Sequence, residues 1–264
     1  MKVPRKIKVV PLAFESLGVR SMCTYVETPD VKILLDAGIS LGPRRFGLPP
    51  HPREYVAVKR LRERILNLSD KVDVVTVSHY HFDHQTPSYT DWAYNWSSAE
   101  IAERIYSGKI VLIKSYRSKI NLSQRRRGWM FVQTGGKYAE RLETADGRTF
   151  KFGDTTIRFS NPVYHGEERS QLGWVVMTTI ERDEERILYT SDVQGPMIDE
   201  TLKMILNVKP DLIIVGGPPL YLAGLVKIES IKAGIKNLKK VVETVPTTIL
   251  DHHLLKSFSG GSAS

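Results

Sequence analysis

The segment His79-Tyr80-His81-Phe82-Asp83-His84 concentrates four strong metal-binding side chains in six positions, directly behind the apolar run from Val72 to Val77. A short apolar run of this kind reads as a buried strand, and histidines at its end are delivered to one edge of a sheet. Side chains alternate in an extended chain, so His79 and His81 project to the same side. A turn after Phe82 lets Asp83 and His84 reach a second point nearby. The spacing predicts two adjacent metal sites. Three of the seven histidines fall in this segment, which argues against a merely solvated polar loop. Imidazole and carboxylate suit zinc, iron or manganese. Tyr80 and Phe82 alternate with these groups and are expected to face away and pack.

Other stretches follow in a definite order: Leu34-Leu35-Asp36-Ala37-Gly38, Asn161-Pro162-Val163-Tyr164-His165-Gly166, Tyr189-Thr190-Ser191-Asp192, and Thr247 to Asp251-His252-His253. With the His-x-His-x-Asp-His segment they resemble the metallo-β-lactamase superfamily along nearly the whole chain. The run Pro11 to Met22, the segment His79 to Pro87, Gly216-Gly217-Pro218-Pro219 and Asp251-His252-His253 are more closely similar to an archaeal family of predicted metal-dependent hydrolases. The resemblance implies an α/β fold, the four-layer αββα sandwich, with metals held by loops at one edge. It also implies that His79, His81 and His165 hold one ion and Asp83, His84 and His252 the other, with Asp192 bridging. Asp36 is then a brace that hydrogen bonds to the metal loop. His253 is the alternative to His252, since neighbours point oppositely in an extended chain and only one should face the site. Asp251 is a candidate acceptor for an imidazole N–H. Two divalent cations, zinc foremost with iron or manganese as alternatives, would share a water and lower its pKa towards about 7. The nucleophile is then a metal-bridged hydroxide, oriented by Asp83. Ser191 reads as a hydrogen-bonding loop residue rather than a nucleophile.

At 264 residues the chain suits one such unit, expected over 1–256, and the uncharged Ser-Gly-rich stretch 257–264 reads as a disordered tail. Cys23 is the single cysteine; it excludes an internal disulfide and reads as a small buried apolar residue. The longest uncharged run, Leu212 to Val226, is cut by Gly216-Gly217-Pro218-Pro219 and is too short and broken to cross a bilayer. No signal-peptide pattern opens the chain, so a cytoplasmic location is expected.

Strands are expected near residues 6–11, 23–28, 31–36, 72–77, 109–114, 156–160, 172–180, 186–191 and 211–215, with a closing strand from Thr247. Helices are expected over Val56–Leu68, where Val58, Leu61, Ile65 and Leu68 recur at helical steps, over Asp91–Tyr106, after Pro196, and over Val226–Val242.

The net charge of +9 is concentrated, because residues 109–158 carry 12 Lys and Arg against 4 Asp and Glu. There Arg125-Arg126-Arg127 is interleaved with Tyr116, Trp129, Phe131 and Tyr138. Cations among aromatic faces suit an anionic substrate, with a phosphodiester in RNA or DNA as the leading class. A solvated basic face, or the surface of a heat-adapted protein, is the competing reading. Gly216 and Gly217 could offer backbone N–H groups to an anion, or could simply form a tight turn. Three function classes stand at this stage. They are a two-metal phosphodiesterase or nuclease, a small-molecule thioester or lactone hydrolase, and a non-catalytic RNA-binding protein stabilised by metal.

Overall fold

The computed structural model describes residues 4–42, 48–222 and 226–254; the tail expected at 257–264 lies outside them. Strands β1 (Lys8–Phe14), β2 (Met22–Glu27) and β3 (Lys32–Leu35) run antiparallel. Helix α1 (Pro52–Ser69), β4 (Val74–Val77), α2 (Ala99–Tyr106), β5 (Ile110–Ile113), α3 (Leu122–Gln133) and β6 (Arg141–Thr144) then alternate, so β3 to β6 are parallel in a six-stranded sheet of sequential order.

Strands β7 (Thr149–Phe152) and β8 (Thr155–Phe159) open a second sheet, interrupted by a small hairpin of β9 (Val163–Tyr164) and β10 (Trp174–Val175). It continues with β11 (Thr178–Arg182), β12 (Glu185–Tyr189), helix α4 (Asp199–Val208), β13 (Leu212–Gly216), helix α5 (Ile228–Thr244) and β14 (Thr247–Asp251), in the order β14-β13-β12-β11-β8-β7. Its β12, β13 and β14 are parallel.

Period-two alternation sorts the strand residues between layers. Ile33, Leu35, Val74 and Leu112 of the first sheet meet Ile157, Ile180, Ile187, Leu212 and Ile214 of the second. The intervening Leu34, Val75, Val77, Val111 and Ile113 pack under α1, α2 and Phe131 of α3, whereas Leu188, Ile213 and Val215 pack under α4 and α5. The result is the expected αββα sandwich. Cys23 is buried in the outer core, and burial pushes its thiol pKa up. Among the described residues no helix is long and apolar enough to cross a membrane.

Three expectations need correction. Helix α1 begins at Pro52, where His51 and Glu54 form a reciprocal capping box. Only Ala99–Tyr106 of the expected helix 91–106 is helical. The Asp91 carboxylate accepts the Ala93 and Tyr94 N–H groups at 2.9 and 2.8 Å, closing a turn, and Ser98 caps the helix. The expected strand 172–180 splits into β10 and β11, because the Val176 N–H turns across to the Ser78 carbonyl of the first sheet, at 3.1 Å.

Candidate metal centre

The site collects at the carboxyl ends of parallel strands, where α/β folds place their ligands. Asp36 closes β3, the loop 78–87 follows β4, Asp192 follows β12, and His252 and His253 follow β14. The two sheets therefore bring their chemistry to one edge. The metal loop lies so close to the end of β3 that a Cβ on Gly38 would sit 2.3 Å from the backbone nitrogens of His84 and Gln85; only glycine fits there.

Asp36, fully buried, orients two of the imidazoles. One carboxylate oxygen accepts the Ser78 N–H at 2.8 Å; the other accepts the Ser78 hydroxyl, the Tyr189 hydroxyl at 2.9 Å and His84 Nδ1 at 2.8 Å. A carboxylate only accepts, so His84 Nδ1 carries the proton and its Nε2 is left as a lone pair. The Ser78 hydroxyl, whose hydrogen is donated to Asp36, accepts from His79 Nδ1 at 3.1 Å, which leaves His79 Nε2 as a lone pair too. Ser191 Oγ, 2.6 Å from Ser78 Oγ, belongs to this relay.

Ligand atoms of His79, His81, His165 and Asp192 lie within 4.8 Å of one another, as do those of Asp83, His84 and His252. Asp192 connects the two groups: its Oδ2 is 2.6 Å from His165 Nε2, 3.4 Å from His252 Nε2 and 3.0 Å from His253 Nε2. Several polar atoms here are buried without a hydrogen-bond partner, among them His84 Nε2, His165 Nδ1 and Asp192 Oδ1. Buried polar atoms are ordinarily satisfied. A cluster of orphaned imidazole and carboxylate atoms has the composition that divalent cations satisfy, so the residues fit a metal.

Electrostatics agree with that fit. Burial and the surrounding imidazoles hold the His79 pKa well below its ordinary value, and burial and His165 do the same to His81, so both are neutral donors. Burial alone would raise Asp83, but the Arg20 guanidinium, 3.1 Å away, and His84 and His252 outweigh it and hold the carboxyl well below the usual range. Burial opposes charge on Asp192 as well, and is outweighed by His165, His253 and His252. His252 moves the other way: burial would lower it, yet Asp192 and Glu15 push it up to about 10.

Sequence reasoning offered His252 and His253 as alternatives, and the structure directs both towards Asp192. Strand β14 ends at Asp251, and His252 and His253 have φ of 51° and 66°, so strand alternation does not govern them. Asp251 hydrogen bonds to no imidazole. Its carboxylate accepts the backbone N–H groups of Glu15, Ser16 and His252, tying the turn after β1 to the end of β14. The Gly217 N–H is already donated to the Asp251 and His252 carbonyls, at 3.1 and 2.8 Å, so it offers nothing to an anion. Gly216 stays within β13, paired with Asp251. Neither has positive φ. At Gly217 the requirement is close approach, since a Cβ would meet Leu254 Cβ at 2.7 Å.

Tyr80 is fully buried as expected. Phe82 is only half-buried, against Tyr89 and beneath Arg127, whose guanidinium lies 4.7 Å from the ring. Arg125, Arg126 and Arg127 fall on α3, with Arg125 and Arg126 in solvent. Glu15, Arg20, Ser78 and Tyr189 escaped the sequence reading as site residues. Glu15 and Arg20 lie within the Pro11–Met22 run that carried the resemblance, and that run was the available signal.

No family model matches the chain. A UPF0282 protein of Thermococcus gammatolerans is 46% identical over 251 residues, covering 95% of this chain and 83% of that protein. Another from Methanopyrus kandleri is 43% identical, covering 95% and 85%. Among solved structures, one described as a possible metal-dependent hydrolase from Veillonella parvula superposes with a TM-score of 0.53 at 14% identity, covering 89% of this chain and 83% of that one. A variant of the CmlA β-hydroxylase superposes with a TM-score of 0.50 at 13% identity, covering 95% of this chain and 46% of that one. With the sandwich and its ligand edge in place, these relatives settle kinship: the chain belongs to the UPF0282 family and has the metallo-β-lactamase fold.

Proposed function

We infer that this protein is a binuclear metal-dependent hydrolase acting on a phosphodiester in an anionic substrate. The observation that carries the reading is the meeting of two ligand groups, His79/His81/His165 and Asp83/His84/His252, at the one carboxylate of Asp192. The fold by itself does not select a reaction, since a β-hydroxylase shares it.

When bound, two divalent cations supply Lewis acidity and an acidified water at neutral pH, with zinc favoured by the imidazole-rich donor set and iron or manganese accepted by it. The chain's own residues prepare the rest. His79, His81 and His165 would hold one ion, Asp83, His84 and His252 the other, with Asp192 shared. Asp36 and Ser78 fix the tautomers of His84 and His79, so no proton rearrangement is needed before those nitrogens bind. Arg20 keeps Asp83 a carboxylate, able to accept a hydrogen bond from an attacking water and so orient it. Of the seven ligand candidates only His81 is not fully buried, so substrate reaches the centre over His81. Arg127 stands at that approach, above Phe82. A cation at the mouth supports an anionic substrate over a neutral ester.

The test is hydrolysis of bis(p-nitrophenyl) phosphate by metal-stripped protein, with zinc, manganese or iron restored and Asp83→Ala run beside it. The expected outcome is metal-dependent turnover that falls more than roughly 100-fold in the variant, since even residues that only orient ligands are worth 10- to 100-fold. Turnover that ignores both metal and Asp83 would overturn the reading. Hydrolysis of a thioester in preference to the phosphodiester would leave the metal chemistry and remove the substrate class.

A further inference from the structure

Helix α3 uses only one face to hold itself down. Gln124, Gly128 and Phe131 are buried, and Gly128 packs so tightly that a Cβ there would sit 2.6 Å from Tyr116 Cβ and 2.7 Å from the Tyr80 ring. Gln124 clamps two ligand-bearing segments together. Its Oε1 accepts the Tyr80 N–H at 3.0 Å, between His79 and His81, and its Nε2 donates to the Leu172 carbonyl in the loop that follows His165. The helix is therefore fixed in register with the metal centre.

Its outer face is unusual for a solvated helix. Leu122, Arg125, Arg126 and Trp129, spaced i, i+3, i+4 and i+7, form one stripe and, with Tyr116 and Arg117, line an open groove of about 470 Å³. Trp129 is 55% exposed and Leu122 81%. The far wall is prebuilt: buried Lys114 donates to the Ser115 and Ser118 carbonyls at 2.9 and 2.8 Å and pairs with Asp146. This fixes the loop on which the Arg117 guanidinium lies 5.2 Å from the Tyr116 ring.

The arginines decide between a solvated face and a binding face. Elsewhere Arg104 pairs with Asp70, Arg148 with Glu143, Arg158 with Glu181 and Arg182 with Asp30. Among the described residues no carboxylate lies within ion-pair distance of Arg117, Arg125, Arg126 or Arg127. A heat-adapted surface would network its arginines with acids; Arg53, Arg60 and Arg169 also stand without an ion pair among the described residues, but here four such cations gather around exposed Trp129 and half-buried Tyr116 and Phe82. That combination complements a polyanion whose flat bases are accessible.

We propose that the α3 groove binds single-stranded nucleic acid, with a base stacked on Trp129 and phosphates held by Arg117, Arg125 and Arg126. Arg127, on the neighbouring flank beside Phe82, continues the cationic path to His81. This last step, delivery of the strand to the centre, rests on the hydrolase reading; the groove's affinity does not. A duplex is a poor occupant because its base faces are already stacked.

The test is fluorescence anisotropy of a labelled oligouridylate and oligothymidylate, with a duplex of equal length, on the full metal-loaded chain and on its Asp83→Ala form, which limits cleavage. Trp129→Ala is expected to weaken single-strand affinity roughly 5- to 100-fold, the worth of one stacked base. Arg125→Ala combined with Arg126→Ala is expected to lower the slope of log affinity against log salt by roughly 1.4, for two phosphate contacts. Both substitutions lie in solvent, so the thermal midpoint and bis(p-nitrophenyl) phosphate turnover should stay at wild-type levels. Unchanged affinity in Trp129→Ala, an unchanged salt slope, or duplex binding as tight as single-strand binding would overturn the proposal. Oligonucleotide affinity that depends on Trp129 in a protein that hydrolyses nothing would remove the hydrolase and keep the groove. Phosphodiester turnover without oligonucleotide affinity would do the reverse.

Discussion

Asp36 and His252 set opposite proton balances within the same cluster. Asp36, through His84 directly and His79 by way of Ser78, leaves lone pairs already facing inwards. His252 is different, because Asp192 and Glu15 overcome its burial and push its pKa up to about 10. In metal-free protein at neutral pH this holds a proton on His252, and a cation bound by its imidazole beside Asp83 and His84 must displace that proton. The sign follows: a group with a raised pKa holds its proton below that value, so proton and metal compete up to about pH 10. Apparent affinity at that position should rise roughly tenfold per pH unit and level off above it. Calorimetric titration in buffers of different ionisation enthalpy should register close to one proton released for the second metal. Release of none would show that His252 is not a ligand.

At the scale of elements, what the sequence made legible was periodicity, and what it hid were polar side chains used as internal struts. The strands around the centre and helix α1 were readable from Val, Ile and Leu spacing. Helix α3 was not, because Leu122, Trp129 and Met130 face solvent and spoil its apolar stripe. Arg62 looked like one more surface charge between Leu61 and Ile65. It is fully buried, donating to the Ala37 carbonyl at 2.8 Å, Thr86 Oγ1 at 2.7 Å, the Asn95 carbonyl at 3.0 Å and the Trp96 carbonyl at 3.1 Å. It thereby braces α1 against the end of β3 and the metal loop, with no carboxylate as partner among the described residues. Burial pushes its pKa down to about 10, still a cation at neutral pH. Arg62→Met should lose about 3–5 kcal/mol in denaturant unfolding, since several buried acceptors lose their donors at once. Arg62→Lys should recover only part, because one ammonium cannot span four acceptors set around a planar fork. A loss below about 1 kcal/mol in Arg62→Met would mean water replaces the guanidinium without strain.

On the scale of the whole molecule, the candidate ligands were legible in order because parallel strands of both sheets end at the same edge, so successive strand termini in sequence become neighbours in space. The contributions of Glu15 and Arg20 were not, since they come from the turn between β1 and β2 and reach the centre through contacts distant in sequence, the Asp251 carboxylate holding the N–H groups of Glu15 and Ser16 and a backbone bridge to Ser40 holding Arg20. The pairing of both His252 and His253 with Asp192 depends on two left-handed residues that no alternation rule anticipates. This division has a mechanical consequence. His79, His81, Asp83 and His84 belong to the first sheet, whereas Asp192 and His252 belong to the second and His165 to the hairpin between its strands. Ions held by both sets would staple the two halves of the sandwich, and the unfolded chain offers no such converging set. Each site filled at a hundred times its dissociation constant would add about 2.7 kcal/mol. Chelation should therefore lower the calorimetric midpoint of the wild-type protein. Asp192→Ala, which removes the shared carboxylate, should unfold at a midpoint insensitive to chelator. A wild-type midpoint that does not move when metal is stripped would show that the centre, whatever it binds, does not join the sheets.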